Sequence, residues 1–539
     1  MPSFGFRLPA TLLLVASLAA SFGVPLAAQA PADALLLTRA ERTGFVETTG
    51  YEEVVALASR LAEASDDIHL THLGYTQEGR RLPLLVVGAP DASPEAVRAT
   101  GKTRVYLQGN IHAGEVCGKE ALLMLLRRFA AGAYPDWSDS LVLLVAPIYN
   151  ADGNERVRLD HRRLQHGPVG GMGQRPNAMG LDLNRDHTKL DTPEARSLVT
   201  FLTRYDPHVG VDLHTTNGTR HAYHLTYSPP LHPATPASID DYLRDDWLPQ
   251  VTRRVEEKRG WSYHHYGNVY DGPEGPGWYT FDHRPRFSNN YLGLRNRFGI
   301  LSEAYAYLTF HDRIRASLWF VEEILDFASQ NAGEIRRRTE EADRRSVVGR
   351  ELATRARYLA TPGDPTILMG AVDTLVHPYS GAPILRRRDH VVPTPMAEFV
   401  AFQPSATEVA PQAYYLPPSA EDAVRRLEAH GVTVVRYAEA RELPVDRFQV
   451  DSVSVADEPF QGRRERTVWG RWIATVETLP PGSAYVSLDQ PLGRLAFTLL
   501  EPASDDGFVA WGILEATSES GVALYRVPPN SSAPGRGGG

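Results

Sequence analysis

Residues 104–129 read RVYLQGNIHAGEVCGKEALLMLLRRF. The short apolar run at its start predicts a buried strand, and VCGKEALLMLLRRF predicts a helix, so His112 and Glu115 fall in the turn between them. Working outward, LPLLVVG (82–88), LVLLVAPI (141–148), HVGVDL (208–213) and RFGILSE (297–303) read as further strands. GYEEVVALASRLAEAS (50–65) and TPEARSLVTFLTR (192–204) have helical periodicity. Strand and helix patterns alternate from about 68 to 310, which predicts an α/β fold: a mixed, mostly parallel sheet flanked by helices. Residues 155–180 and 226–290 read as long loops or insertions, where binding surfaces are built.

His112, Glu115 and His214 all fall just past strand ends, the place where open α/β sheets put their sites. Imidazole nitrogen and carboxylate oxygen are good Zn²⁺ ligands, and three protein ligands leave one tetrahedral position open, as catalytic sites require. On spacing alone the signal has little specificity: H-x-x-E recurs by chance, and a lone His is more often a surface or satisfied core residue. A closed structural zinc site leans on cysteine, and this chain has one. That residue, Cys117, is expected to be a small buried packing residue, and no intrachain disulfide is possible.

The chain has 539 residues, enough for two or three domains with large cores. At 42% hydrophobic and 22% charged it is an ordinary globular composition. A net charge of −9 argues against a nucleic-acid partner, which calls for a basic footprint. Residues 1–30 read as a signal peptide: Arg7, then the apolar LPATLLLVASLAA (8–20), then the cleavage pattern Ala28-Gln29-Ala30. A secreted or periplasmic location follows, with no stable membrane span after cleavage; an uncleaved N-terminal anchor is the rival reading. Too little chain separates Ala30 from the first helix for a folded prodomain.

Residues 317–345 read as one long helix closing a catalytic domain over 31–345. Beyond it, short strand-like segments between Pro/Gly turns predict a smaller, mainly β accessory domain over 346–530, with one helix at AEDAVRRLEAH (420–430). Residues 531–539 read as a disordered tail.

Five motifs, IHAGE (111–115), PIYNADGN (147–154), GLDLNRD (180–186), DLH (212–214) and LSEAY (301–305), occur in an order in which the chain resembles the zinc metallocarboxypeptidases of the carboxypeptidase A type. The resemblance covers roughly residues 45–330. It implies one zinc per chain on His112, Glu115 and His214, and Glu303 as the general base toward a zinc-bound water. It implies that Asn184 and Arg185 grip the free C-terminal carboxylate of a peptide substrate, and that Asp182 orients a ligand histidine. It also implies an arginine that stabilises the oxyanion. Arg162 is chosen from its spacing to Asn184, with Arg163 the alternative, because the GPVGGMGQ loop (167–174) departs from the digestive enzymes. No tyrosine sits unambiguously where the family's mobile substrate-capping tyrosine belongs; Tyr279 and Tyr291 are the candidates. His161, His166, His187, His264 and His265 read as surface or loop residues. The expected function is an exported zinc carboxypeptidase hydrolysing C-terminal peptide bonds. The alternatives are a zinc amidohydrolase on peptidoglycan peptides or N-acyl amino acids, and a non-catalytic zinc-bearing binding module.

Overall fold

The computed structural model describes residues 1–2, 36–216, 218–519 and 521–529. The signal peptide expected at 1–30, beyond its first two residues, and the tail at 531–539 lie outside the described residues.

Strands β1 (Ile68–Tyr75), β2 (Arg81–Val87), β3 (Thr103–Gly109), β4 (Leu141–Ala146), β5 (Val209–Thr215), β6 (Leu225–Ser228) and β7 (Tyr263–His265) are joined in one sheet by β10 (Phe298–Ala304). The intervening β8 (Asn268–Gly272) and β9 (Gly275–Tyr279) form a separate hairpin. The order across the eight-stranded sheet is β1-β2-β4-β3-β5-β10-β6-β7. β3 runs parallel to β4 and β5, and β5 parallel to β10; β1, β2 and β4 pair antiparallel at one edge, and β6 pairs antiparallel with β10. The sheet is therefore mixed, with a parallel centre flanked by helices. Every residue of β3, β4 and β5 is buried, which is why these strands read as unbroken apolar runs rather than alternating ones.

The helices follow from equally local causes. Tyr51–Ala64 buries Tyr51, Val54, Leu57, Ala58 and Leu61, a single stripe at three- and four-residue spacing. Cys117–Ala130 is buried on almost all sides. Its first turn approaches β5 so closely that a Cβ on Gly118 would lie 2.6 Å from the Leu213 Cβ. Pro193–Tyr205 begins on Thr192, whose hydroxyl accepts the Ala195 N–H at 3.1 Å, with Pro193 at the first helical position.

Three expectations are corrected. The single helix over 317–345 is two, Phe310–Gln330 and Ala332–Arg344, broken at Asn331, whose φ of −119° leaves the helical region. The amphipathic pattern continues across that residue, so periodicity did not reveal the break. The stretch 226–290 is not mainly loop: it holds β7 to β9 and the helix Leu248–Arg259, which buries only Leu248, Val251 and Val255 and so looks polar in sequence. Strand β1 was not foreseen, because four of its eight residues are only partly buried and two are exposed.

Past Arg344 the chain is largely β. A six-stranded sheet there carries the long pair Arg441–Val455 and Arg466–Leu479. The helix foreseen at 420–430 is Glu421–Ala429, and a second, Gly493–Leu500, is buried along its whole length. Among the described residues no helix is long and apolar enough to cross a membrane.

Candidate metal centre

β3 lies between β4 and β5, so the chain leaves it at a point where neighbouring connections diverge, and a crevice opens beyond the strand ends. Asn110 turns the backbone there at φ 66°, a conformation asparagine tolerates, and its side-chain amide donates to Ala113 O at 3.1 Å. The Glu115 N–H then closes onto His112 O at 2.9 Å, bringing both side chains to one side. His214 arrives at the end of β5. In the β5–β10 register His214 is the partner of Glu303, so the carboxylate on β10 stands beside the histidine on β5.

The ligand-type atoms of His112, Glu115 and His214 lie within 4.8 Å of one another, and all three residues are buried. Both imidazoles turn Nδ1 inward: His112 Nδ1 and His214 Nδ1 are 3.3 Å apart, and each is 2.9 Å from a Glu115 oxygen. Both turn Nε2 outward onto a carboxylate, His112 to Asp182 and His214 to Asp212, each at 2.9 Å. A carboxylate only accepts, so it draws the ring proton to Nε2 and leaves the Nδ1 lone pair facing the centre. Two imidazole lone pairs and a carboxylate aimed at one buried point fit a Zn²⁺ ion, with room for a further ligand.

Around this cluster the pocket, of about 310 Å³, is lined by Arg162, Arg175, Asn184, Arg185, Tyr266, Phe287 and Glu303 among others. Glu303 Oε2 is buried with no hydrogen-bond partner among the described residues. Burial pushes the Glu303 carboxyl up to about 8, and nearby Glu115 adds to this against the pull of His214, Arg162 and Arg175. Burial also opposes ionisation of Glu115, but His112 and Arg162 outweigh it and hold that carboxyl well below the usual range.

All eight residues singled out from the sequence gather here. Arg162 Nη2 donates to Glu115 at 2.5 Å, from a backbone in the left-handed region (φ 50°). Its alternative, Arg163, lines a neighbouring cleft instead. Asn184 accepts the Ser288 N–H at 2.9 Å, and Arg185 stacks its guanidinium 4.0 Å from the Phe287 ring centre. Neither candidate tyrosine reaches the pocket. The Tyr279 hydroxyl bonds to Gly275 O at 2.7 Å, and the Tyr291 hydroxyl to His430 at 2.7 Å. Tyr266 is the tyrosine in the pocket. His187 is buried with Nδ1 on Arg286 O, and is no surface residue; the sequence neighbourhood, NRDHTKL, is polar and hides this.

Sequence reading missed Asp212, Arg175 and Ser288. Asp212 had a signal: on a strand, residues i and i+2 share a face, so D-x-H puts both side chains together. Gln108 and Ser288 hold it, at 3.0 and 2.6 Å. Arg175 grips Asp182 with two nitrogens, at 3.0 and 2.7 Å, from a Gly/Pro-rich loop with no periodicity to read.

Residues 54–280 match the zinc carboxypeptidase family of M14 peptidases. Carboxypeptidase 2 of Trichophyton rubrum is 26% identical over 524 residues, covering 91% of this chain and 89% of that protein. Carboxypeptidase 2 of Trichophyton tonsurans is 27% identical over 486 residues, covering 84% and 81%. Human carboxypeptidase D is 31% identical over 189 residues, but these are 29% of this chain and 14% of that protein. A match over 91% of the chain reaches well into the β-rich region, so the fungal likeness extends past the family's own segment. The family match over residues 54–280 and the carboxypeptidase relatives together support a zinc metallocarboxypeptidase.

Proposed function

We propose that this is an exported carboxypeptidase that holds one zinc per chain on His112, Glu115 and His214 and removes single residues from the free C-terminus of peptides. The observation that carries the reading is Glu303: a half-buried residue whose Oε2 is buried without a hydrogen-bond partner among the described residues, in register with His214. A binding module would gain nothing from such a group, whose burial is costly. The same carboxylate suits a general base, which needs a raised pKa and a clear line to the reacting water.

Bound zinc would supply an activated water, with a pKa near 7, and polarisation of the scissile carbonyl. The chain's own groups divide the remaining work. Glu303 takes the proton from water and returns it to the leaving amine. Arg162 and Arg175 present guanidinium N–H groups to the oxygen that gains charge, the kind of preorganised donors that lower such barriers. Arg185 and Asn184 receive the terminal carboxylate, where the planar fork of arginine makes two parallel bonds. Phe287 packs against the Arg185 guanidinium and fixes its plane. Asp182 and Asp212 fix the tautomer of the ligand histidines. In this reading residues 31–345 carry the chemistry and 346–530 brace it.

The test is amino-acid release from matched peptides that end in a free acid or an amide. Free acids should be hydrolysed far faster. Equal kcat/KM for the two would remove the carboxypeptidase reading and favour an amidohydrolase that does not read the terminal charge.

A further inference from the structure

A second cleft, of about 500 Å³, opens beside the catalytic pocket. Arg162 lines both. None of Asn184, Arg185 or Phe287 lines the second cleft, so it departs from the Arg162 end of the pocket rather than from the end proposed to hold the terminal carboxylate. Its walls come from three places: the loop bearing Arg163, the chain just past β5 (Thr216, Arg220), and the chain just past β10 (Tyr307). A fourth wall is Leu385, from the strand Pro383–Pro395 in the β-rich region. That strand is fastened on: Leu385 N donates to Leu164 O at 2.8 Å and Arg387 N to Tyr307 O at 2.6 Å.

The charge of this cleft is one-sided. Arg163 and Arg220 are exposed, and neither side chain has an ion-pair or hydrogen-bond partner among the described residues. Among the described residues no acidic one lines the cleft. The strand's own arginines are already answered, Arg386 and Arg388 by Asp373 and Arg387 by Asp389. A peptide anchored by its terminal carboxylate must lead its upstream residues out of the pocket, and an extended chain advances about 3.3 Å per residue. Upstream residues that leave the pocket past Arg162 enter the cleft that Arg163 and Arg220 line.

We infer that this cleft reads the substrate residues upstream of the scissile bond and selects acidic side chains there, through Arg163 and Arg220. The inference rests on the carboxypeptidase reading above. A guanidinium fork matches a Glu or Asp carboxylate, and a Lys in the same place meets like charge. Because the arginines are exposed, each pair contributes modestly and is screened by salt.

The experiment compares N-blocked peptides that differ only in carrying Glu, Gln or Lys at the two positions before the residue that supplies the scissile carbonyl. For the zinc-loaded full-length enzyme at low ionic strength, kcat/KM should favour Glu over Lys by about three- to twentyfold. The ratio should shrink at 0.5 M salt. In an Arg163→Ala/Arg220→Ala variant it should fall toward one, and in Arg220→Glu it should turn toward Lys. The ratio is taken within one preparation, so incomplete folding lowers both rates alike and leaves it unchanged. Equal rates on Glu and Lys peptides in the wild type, or a preference that survives the double substitution, would overturn the inference while leaving the carboxypeptidase reading standing. Release from none of the peptides would bring down both.

Discussion

The two halves of the proposed metal centre are built in opposite ways. One half stands on the sheet: Asp212, His214 and Glu303 sit on paired parallel strands, where the ladder itself sets their spacing. The other half, with Arg162, Arg175, Asp182, Asn184 and Arg185, lies in a segment whose only regular element is the 3-10 turn Leu183–Arg185. That segment is held from the β-rich region. Gln461 Oε1 accepts the Asp182 N–H at 2.7 Å. Arg463 clamps Asp191 with two bonds, at 2.7 and 2.8 Å, and Arg426 adds a third contact to the same carboxylate at 3.1 Å. Asp506 takes the Arg286 N–H, just before Phe287 and Ser288, at 2.7 Å. A sheet holds its residues with its own backbone; a loop of this length needs a second body of structure to hold it.

The comparison can be broken or sharpened by substitution. The largest effect is expected on the sheet side. His214→Ala should lose stoichiometric zinc and with it measurable turnover; metal analysis of wild type and variant checks both, and a variant retaining zinc at comparable affinity would show that the ligand set is wrong. Next, Glu303→Gln should keep zinc and the folded state while kcat falls about 10²–10⁴-fold, the usual worth of general acid–base catalysis. A near-normal kcat would take Glu303 out of the mechanism.

On the loop side, Arg185→Met should cost about 10–150-fold in kcat/KM on free acids, the equivalent of one charge-assisted contact of about 1.5–3 kcal/mol. On C-terminal amides it should cost little more, since both changes remove one interaction and do not add. Additive losses would mean that Arg185 acts elsewhere.

The two braces test the halves against each other. Asp182→Asn and Asp212→Asn should each weaken zinc by about 10–100-fold. Asp182→Asn should in addition raise KM, because Asp182 also stands 3.9 Å from Arg185, the residue proposed to receive the terminal carboxylate. If titration with a chelator gave the two variants the same zinc affinity and kinetics gave them the same KM, the division into halves would be wrong. The smallest effect is Gln461→Ala. It leaves the Asp182 N–H without its partner, at a cost of about 1 kcal/mol, and should lower kcat/KM a few-fold with zinc affinity nearly unchanged. A loss confined to thermal stability would reduce the β region's part to bracing alone.

Much of this was legible in the residues themselves. β3, β4, β5 and β10 announce themselves as short apolar runs because each is buried on both faces, and burial is what a run of Val, Leu and Ile encodes. His112, Glu115 and His214 stand out only with the five ordered motifs, because H-x-x-E alone recurs by chance. Asp212 was present in the same pattern, two residues before His214. Other features had no local signature. The break at Asn331 does not interrupt the apolar stripe. Tyr266 takes the place of Tyr279 and Tyr291 in the pocket because β7 pairs with β6 and β6 with β10, which puts His264 and His265 level with Glu303 and Ser302 just ahead of Tyr266, and pairing is not local.

The sequence by itself determined the α/β class, since period and burial act over a few residues at a time, while the candidate metal ligands and Glu303 stood out only through the ordered motifs of the family resemblance. Only the tertiary structure decided which arginines face the metal centre, which tyrosine lines the pocket and what the region after Arg344 holds in place. Those outcomes depend on contacts such as Gln461 with Asp182 and Leu385 with Leu164, between residues more than two hundred positions apart, and no local pattern encodes such a meeting.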